Sequence, residues 1–446
     1  MHNIKKTIVD YPYLTKPLTL LERENGHRIV LAYKEGELVN ISTWVNTGSI
    51  NEDDRINGIS HFVEHVMFKG TKNHKAGYFD RFLEGRGGIV NAATWKDYTF
   101  YYVTMPRGEN CENLHDLIEL HADMMLNPVF PDDELGLPFD IEKDVPETKR
   151  ERHVVIEEIN MRNDQPWSRV YNIMNDAMYK EHPYKRDVIG TPQIISSISR
   201  DTIFEYYNRF YTPKNMTTIV VGDFDEEDIV KRLTAAFDFE GRESYPETEY
   251  KLDEQPQEQK IITEEEEQIS TGFMMAGYIG ALAKDLKEDI ILNMLNYILG
   301  SGQSSRLYQN LIEKAQQPIF NIVSSDYYQF KDGGNFLIQA NFKPEYKDEA
   351  LNDIFEQVDS IIRDGVSEKE FKKAKNKIKS MFAQNAETVS DIADNIGQYS
   401  VVCKDISLAN EYLKLLDSVE IKDLQTIAEK YLAKNHSTVA ILVPKK

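Results

Sequence analysis

Cysteine and long apolar runs are what this sequence most clearly lacks. Only two cysteines, Cys111 and Cys403, occur in 446 residues, and they lie far apart. This excludes a disulfide framework and the paired-cysteine spacing of zinc fingers. No run of about 18 apolar residues is present, so the sequence predicts no membrane-spanning helix. The N-terminal residues carry no apolar segment typical of a signal peptide, and we therefore expect a cytoplasmic protein.

Positive charge is also in short supply. The chain has 52 Lys and Arg against 74 Asp and Glu, a formal net charge of −22. This balance argues against nucleic acid as a partner, because phosphate binding needs a basic surface. It would steer basic peptides towards the protein, although for most of these charges a solvated acidic surface is explanation enough. The length predicts two or more domains.

One segment, residues 58–70, carries polar groups in a chemically informative arrangement. Read as a helix, it places His61 and His65 one turn apart on one face, with Glu64 beside them. This H-x-x-E-H order is the inverzincin pattern. Zinc accepts neutral imidazole nitrogens and activates a bound water, and a neighbouring carboxylate can take the proton of that water as it attacks a carbonyl carbon.

The alternative for this segment is an amphipathic helix whose histidines pack against core or solvent. The other side chains of this segment argue against that alternative, because apolar residues cover almost the whole circumference of the helix and therefore predict burial. They are Phe62, Val63, Val66, Met67 and Phe68. Two histidines and a glutamate buried together need a partner, since unpaired polar groups are costly there. The pattern therefore favours a metal site.

Residues 150–162 form a second helical pattern, with carboxylates on one face. Glu151 and Glu158 return to the same side of a helix after two turns, with Val154 and Val155 between them, whereas Glu157 points away. A metal beneath the two carboxylates would explain their place on an apolar face. A charged helix with Glu–Arg surface pairs is the alternative.

Short β-rich runs separated by polar turns fill much of the first half, and helical spacing lies between them. The predicted strands cover residues 18–21, 29–33, 39–45, 88–94 and 99–105. Besides the two segments above, the predicted helices cover residues 77–84 and 111–127.

The chain repeats a helix, turn and strand near residues 204–223 and again at its C-terminal end. Tyr211 and Asn215 of the first copy match Tyr431 and Asn435 of the second at an identical offset. This predicts two halves of similar fold. The boundaries we expect are an N-terminal zinc-binding domain 1–240, a polar linker 241–265 and a homologous C-terminal domain 266–446. The second half lacks H-x-x-E-H, and its equivalent helix, near residues 289–295, is predicted to be plain core.

These motifs resemble the pitrilysin, insulinase and mitochondrial processing peptidase family of zinc metallopeptidases. The matches run through most of the chain and comprise Gly48-Ser49, His61 to His65, Phe68 to Thr71, Gly88, Asn91-Ala92, Thr94, Glu151-Arg152, Val154-Val155, Glu157 to Ile159, His182 to Tyr184, Ile189 to Thr191, Gly302 and Ser305 to Leu307. The resemblance implies an α+β fold of two homologous LuxS/metallohydrolase-like domains, each a largely antiparallel sheet packed against helices.

The same resemblance implies a zinc site. One Zn²⁺ ion per chain is held by His61, His65 and Glu158, with Glu64 as the general base and Glu151 as a carboxylate that orients a ligand histidine. The same ligands could take cobalt or manganese in vitro.

The resemblance also implies where a peptide substrate binds. The strand that follows the glycine turn receives the peptide as an added β-strand, main chain to main chain. The contact positions are Gly88, Asn91, Ala92 and Thr94.

The spacing of the third ligand departs from the family pattern. Glu158 follows the second histidine by more residues than in typical members, and counting by the usual spacing selects Glu142 instead. The surrounding E-R-x-V-V-x-E-E pattern selects Glu158. We follow the pattern and interpret residues 131–148 as a surface insertion.

A second departure concerns the C-terminal half. Self-sufficient family members carry an Arg and a Tyr there that hold the substrate carbonyl. The corresponding stretch has Ile312 at the Arg position and Pro318 to Phe320 at the Tyr position, and Arg306 and Tyr308 are out of register. This resembles catalytic subunits whose partner, a related chain without the zinc motif, supplies both residues; a homodimer is the alternative.

The resulting interpretation is a zinc endopeptidase that cleaves unfolded peptides or presequence and leader peptides, as the catalytic subunit of a heterodimeric processing peptidase. Two alternatives remain. One is a non-catalytic core or scaffold subunit of such a complex, and the other is a maturase that trims one modified or leader peptide.

Overall fold

The computed structural model describes residues 4–143, 150–239 and 241–445. The strands are β1 (Ile4–Val9), β2 (Leu18–Arg23), β3 (Arg28–Tyr33), β4 (Leu38–Val45), β5 (Ile89–Thr94), β6 (Thr99–Pro106), β7 (Met216–Gly222), β8 (Lys260–Glu266), β9 (Gly272–Ile279), β10 (Phe320–Tyr328), β11 (Asn335–Phe342) and β12 (Thr438–Pro444). The helices are α1 (Ile59–Val66), α2 (Tyr78–Glu84), α3 (Glu112–Leu126), α4 (Asp132–Leu135), α5 (Glu151–Asn163), α6 (Pro166–Met178), α7 (Pro192–Ser197), α8 (Arg200–Phe210), α9 (Glu226–Ala236), α10 (Leu286–Leu299), α11 (Arg306–Tyr308), α12 (Lys347–Asp364), α13 (Glu368–Gln384), α14 (Val389–Gly397), α15 (Leu408–Ser418) and α16 (Ile421–Leu432).

Two compact units divide the described chain. The first unit contains the described residues up to Asn160, Arg186–Thr248 and Ala383–Asn410. The second contains Met161–Lys185, Glu249–Phe382 and the described chain from Glu411 onward. The units are therefore interleaved in sequence, which differs from the expected consecutive domains 1–240 and 266–446. The expected linker 241–265 also differs, because its last residues belong to β8.

The first unit is built on a seven-stranded sheet with the order β1-β2-β3-β7-β4-β6-β5. Its central strands, β4 and β7, are rich in Val, Ile and Thr and are buried almost throughout. Such continuous burial requires cover on both faces. Ile41 and Val45 belong to the main core with the apolar residues of α1 and α3, whereas Trp44 lies against Gly397 of α14. Helix α14 therefore belongs to this unit although it comes late in the chain.

The second unit repeats this topology. Its sheet has the order β10-β11-β9-β12-β8, which matches β5-β6-β4-β7-β3 strand for strand. The directions agree too, since β3 pairs with β7 and β8 with β12 in parallel and the other pairs are antiparallel. Helix α8 leads through a short turn into β7, as α16 does into β12. The predicted fold of two homologous α+β halves is confirmed.

The elements predicted for the first half are confirmed with small shifts at their ends. The prediction of plain core for the helix near residues 289–295 is wrong in one respect. Asp289 of α10 is buried and accepts a hydrogen bond of 2.8 Å from the Tyr327 hydroxyl of β10. Burial raises the pKa of Asp289 to about 7. An isolated Asp in an apolar helix pattern gives no sign that a tyrosine from a distant strand will reach it.

The expected surface insertion, 131–148, is packed in part. Leu135 is buried, and the Phe139 amide donates a hydrogen bond of 3.0 Å to the Ser196 carbonyl. Residues 144–148 of this segment lie outside the described residues. None of the described helices is both long and apolar enough to span a membrane.

The contact between α14 and β4 can be tested with a double-mutant cycle. A Cβ atom at Gly397 would meet Trp44 Cε2 at 2.0 Å, so Gly397→Ala should destabilise the protein by about 1–3 kcal/mol. Trp44→Phe removes the indole atoms that clash, and the double variant should lose less stability than the two single changes together. Urea unfolding measures all four proteins. Strictly additive losses would contradict the packing of α14 against this face.

Candidate metal centre

Helix α1 separates its apolar from its polar residues. Phe62, Val63 and Val66 are fully buried in the core of the first unit. His61 and His65 lie together on the less buried side, with ring centroids 4.7 Å apart. The i, i+4 spacing places both imidazoles on one face of one turn, as the sequence predicts.

Glu158 of α5 brings a carboxylate to this pair. Its Oε2 atom lies 3.7 Å from His61 Nε2 and 3.4 Å from His65 Nε2. One donor atom from each of the three residues falls within 4.8 Å of the other two. Within the part of the chain that the structure describes, no other group of His, Cys, Asp or Glu converges in this way. Glu142, which is exposed, is not part of the group.

Glu151 lies on the other side of His65. Its Oε1 atom is 3.0 Å from His65 Nδ1, and its Oε2 atom is 2.7 Å from Lys69 Nζ. The Nδ1–H group can donate to this carboxylate, which leaves Nε2 with its lone pair directed at the position shared with His61 and Glu158. The sequence pattern contained Lys69 but gave no sign of its ion pair with Glu151.

Two pKa shifts describe the electrostatics of this group. Burial alone lowers the pKa of His65, but hydrogen bonds to Glu151 and Glu158 outweigh it and raise that pKa to about 9. Partial burial raises the pKa of Glu151, but the hydrogen bonds from His65 and Lys69 bring it below its usual value. The group therefore attracts positive charge strongly. Two imidazole nitrogens and a carboxylate oxygen in such a field are a donor set that zinc accepts.

Glu64 is placed beside the two histidines but is not one of the three converging residues. Its Oε2 atom accepts a hydrogen bond of 2.6 Å from the Thr94 hydroxyl. Burial raises the pKa of Glu64, which the bond from Thr94 partly offsets. A carboxylate with an increased affinity for protons, held in a fixed position, is suited to exchanging a proton with a reacting water or amine.

Three of the four residues predicted to bind substrate lie on β5, one of the two edge strands of the sheet. Among the described strands β5 pairs only with β6, and its residues are partly exposed. The Ala92 amide donates to the Asn91 side chain of the same strand at 2.9 Å, and Gly88 lies just before the strand. Thr94, at the other end, contacts Glu64. The strand thus links an open sheet edge directly to the metal centre.

Two family models match the chain. One, described as insulinase (peptidase family M16), covers residues 28–192, and the other, described as the peptidase M16 inactive domain, covers residues 197–378. The first includes the H-x-x-E-H motif and Glu158. The chain belongs to the insulinase family of peptidases, peptidase family M16.

Individual proteins agree with this assignment. The chain is 27% identical over 422 residues to YmxG of Bacillus subtilis, named an uncharacterized zinc protease, and the match covers 94% of this chain and 96% of that one. The crystal structure of a protease from Helicobacter pylori matches with a TM-score of 0.84 at 25% identity and covers 100% of both chains. The periplasmic protease PqqL from Escherichia coli shares the fold, with a TM-score of 0.75 at 16% identity, but all of this chain corresponds to 47% of that chain.

The third ligand can be tested by exchanging carboxylates for amides. We expect Glu158→Gln to weaken zinc binding by at least about 100-fold, because losing a direct ligand costs more than losing a residue that only orients one. Glu142→Gln, at the position that spacing alone selects, and Glu157→Gln, on the exposed side of α5, should bind zinc as the unchanged protein does. Competition with a chromophoric chelator gives the affinities. Zinc binding that is lost in Glu142→Gln and kept in Glu158→Gln would contradict this site.

Proposed function

We propose that this member of peptidase family M16 is a zinc-dependent endopeptidase that cleaves unfolded peptides or leader peptides. The observation that carries the proposal is the convergence of His61, His65 and Glu158 donors with Glu64 fixed beside them. Relatives of similar length are named zinc proteases. A non-catalytic scaffold role is less well supported, because the three candidate metal ligands and the candidate general base are all present.

The proposed mechanism divides the work among these side chains. Zinc held by His61, His65 and Glu158 would supply a Lewis acid that activates water and polarises the scissile carbonyl. Glu64 accepts a proton from the attacking water and returns it to the departing amine. Thr94 fixes the Glu64 carboxylate through its hydrogen bond, and Glu151 keeps the His65 ring in the required orientation.

The proposed substrate site is the edge of β5 that faces away from β6. A peptide added there as another strand would hydrogen-bond to the main-chain groups on that edge. Its carbonyl would replace the Asn91 side chain at the Ala92 amide. Main-chain recognition of this kind tolerates many sequences, which suits a peptidase that acts on unstructured peptides.

We also propose that the active form needs a second chain. Arg306 makes two bonds to Glu370 and others to Ser360 and the Gly365 carbonyl, so it is fully engaged in its own unit. Ile312 cannot replace an arginine at a substrate carbonyl. PqqL contains about twice the length of this fold in one chain, which supports a pair of such chains here. A related chain without the zinc motif would supply the Arg and the Tyr.

Glu64→Gln tests the chemistry. With zinc loaded, the variant should lose cleavage of a mixture of unstructured peptides by at least about 100-fold, because an amide cannot take the proton. Zinc content should stay unchanged. Equal cleavage by both proteins would contradict the proposed role of Glu64. If neither protein cleaves the peptides, the scaffold role or a missing partner is favoured.

Thr94→Val tests the positioning of the base. Removing the hydroxyl should lower kcat/KM about tenfold with zinc retained, since the Glu64 carboxylate is no longer held. Thr104→Val is the matched control. It removes a hydrogen bond from the Asn40 amide to a hydroxyl on neighbouring β6, and it should leave kcat/KM unchanged. If kcat/KM falls as much in Thr104→Val as in Thr94→Val, the loss comes from a general disturbance of the sheet and not from the position of Glu64.

Light scattering and a peptidase assay on the purified chain test the need for a partner. The chain alone should cleave peptides slowly, because the groups that hold the substrate carbonyl are absent. A stable homodimer with full activity would contradict this part of the proposal.

A further inference from the structure

A buried carboxylate from outside the helix caps the N-terminus of α1. Glu52 is 4% exposed. Its Oε2 atom accepts hydrogen bonds of 2.8 Å from the Gly58 amide and from the Asn57 side chain. Its Oε1 atom accepts bonds of 2.8 Å and 2.5 Å from the Ser60 amide and hydroxyl. Both oxygens are therefore used to hold the first turn of the helix.

The helix cannot carry this cap itself. Gly58 is its N-cap residue, with φ 94° and no side chain to accept a hydrogen bond. A Cβ atom at Gly58 would meet the Ile189 carbonyl oxygen at 2.6 Å and Gly190 Cα at 2.8 Å, so the close approach and the positive φ both require glycine. Side-chain caps normally come from the N-cap position. Here Glu52, earlier in the chain, supplies the oxygens, and its negative charge also favours the positive end of the helix.

Further hydrogen bonds tie this cap to the rest of the unit. The Ser60 hydroxyl is 2.6 Å from the Tyr206 hydroxyl of α8, which is 2.7 Å from the buried Thr47 hydroxyl just after β4. The Asn57 side chain also donates to the Asp187 carbonyl at 2.8 Å. The first turn of α1 is thus held from three directions, and its rotation about the helix axis is fixed.

This rotation matters because Ser60 directly precedes His61. Helix α1 has only 8 residues, whereas Glu158 is carried by a different helix, so the three donors converge only at one rotation of α1. Metal–ligand distances tolerate deviations of about 0.2 Å. We infer that Glu52 is a positioning residue of the metal centre, which sets the orientation of His61 and His65 through the first turn of α1. The inference rests on the proposed zinc site and adds a residue that is not itself one of the three ligands and acts through the first turn of α1.

Burying a carboxylate is costly, so a buried cap at α1 has to contribute more than helix stability. Burial raises the pKa of Glu52 in spite of its hydrogen bonds. The exposed cap of α9, Asp225, accepts a single bond of 2.9 Å from the Asp228 amide. A cap of that ordinary kind would suffice if helix stability were all that the sequence needed at α1.

Glu52→Gln tests the inference, with Asp225→Asn as a matched carboxylate-to-amide change at another helix start of the same unit. The Gln amide would turn its NH₂ group towards amide donors, so the first turn should shift. We expect zinc affinity, measured by chelator competition, to fall about 10- to 100-fold in Glu52→Gln. It should change less than about twofold in Asp225→Asn. At saturating cobalt, the visible absorption bands of Glu52→Gln should also differ from those of the unchanged protein, because the bands report ligand geometry.

Tyr206→Phe removes only a hydroxyl and should lower zinc affinity a few-fold, in the same direction. If Glu52→Gln does not fold, Tyr206→Phe serves as the test instead. If Glu52→Gln folds and has the same zinc affinity and cobalt bands as the original protein, the inference is overturned and the proposed function stands. If only Tyr206→Phe folds, the same result for that variant has the same meaning. If the original protein itself binds no zinc, both the inference and the proposed function are overturned.

Discussion

The metal centre depends on negative charge gathered around two imidazoles. Glu151 lies at one nitrogen of His65 and Glu158 at the other, and Lys69 offers a compensating charge at Glu151. In a partly buried site carboxylates repel one another and draw protons or metal ions to the groups between them. The raised pKa of His65 follows from this environment, whereas the pKa of Glu64 is raised chiefly by burial. A divalent cation bound here would neutralise this negative charge, and the fold would have to keep its ligands in fixed positions.

The first unit provides that rigidity with buried helix faces and one capped helix start. Val63 of α1 and Val155 and Ile159 of α5 belong to the same core, so the ligands project from packed helices. The second unit keeps the sheet topology without the histidines, and its α10 ties Asp289 to a tyrosine of its own sheet instead. The duplicated fold is therefore a scaffold, and the residues of the proposed chemistry are carried by one copy.

The sequence was most informative where polar residues interrupt apolar helices. His61, His65 and the pair of carboxylates on α5 could be predicted because helical periodicity fixes which side chains share a face. Spacing along the chain pointed to Glu142, and only the local pattern pointed to Glu158. The prediction that Val154 shares the buried face of that helix was wrong, since its side chain is 47% exposed, whereas Val155 is buried.

Contacts between distant segments could not be predicted in this way. The bond from Thr94 to Glu64, the ion pair of Lys69 and the cap from Glu52 join residues whose own surroundings in the sequence are ordinary. The interleaving of the units was missed for the same reason, because α14 has the composition of any amphipathic helix and only its packing shows which sheet it covers.

The proposed zinc site can be tested by anomalous diffraction at the zinc absorption edge, from crystals of the purified chain grown with zinc. One peak per chain is expected, about 2.0–2.2 Å from His61 Nε2, His65 Nε2 and an oxygen of Glu158. A peak bound by other residues, or no peak at this position at saturating zinc, would contradict the proposed site.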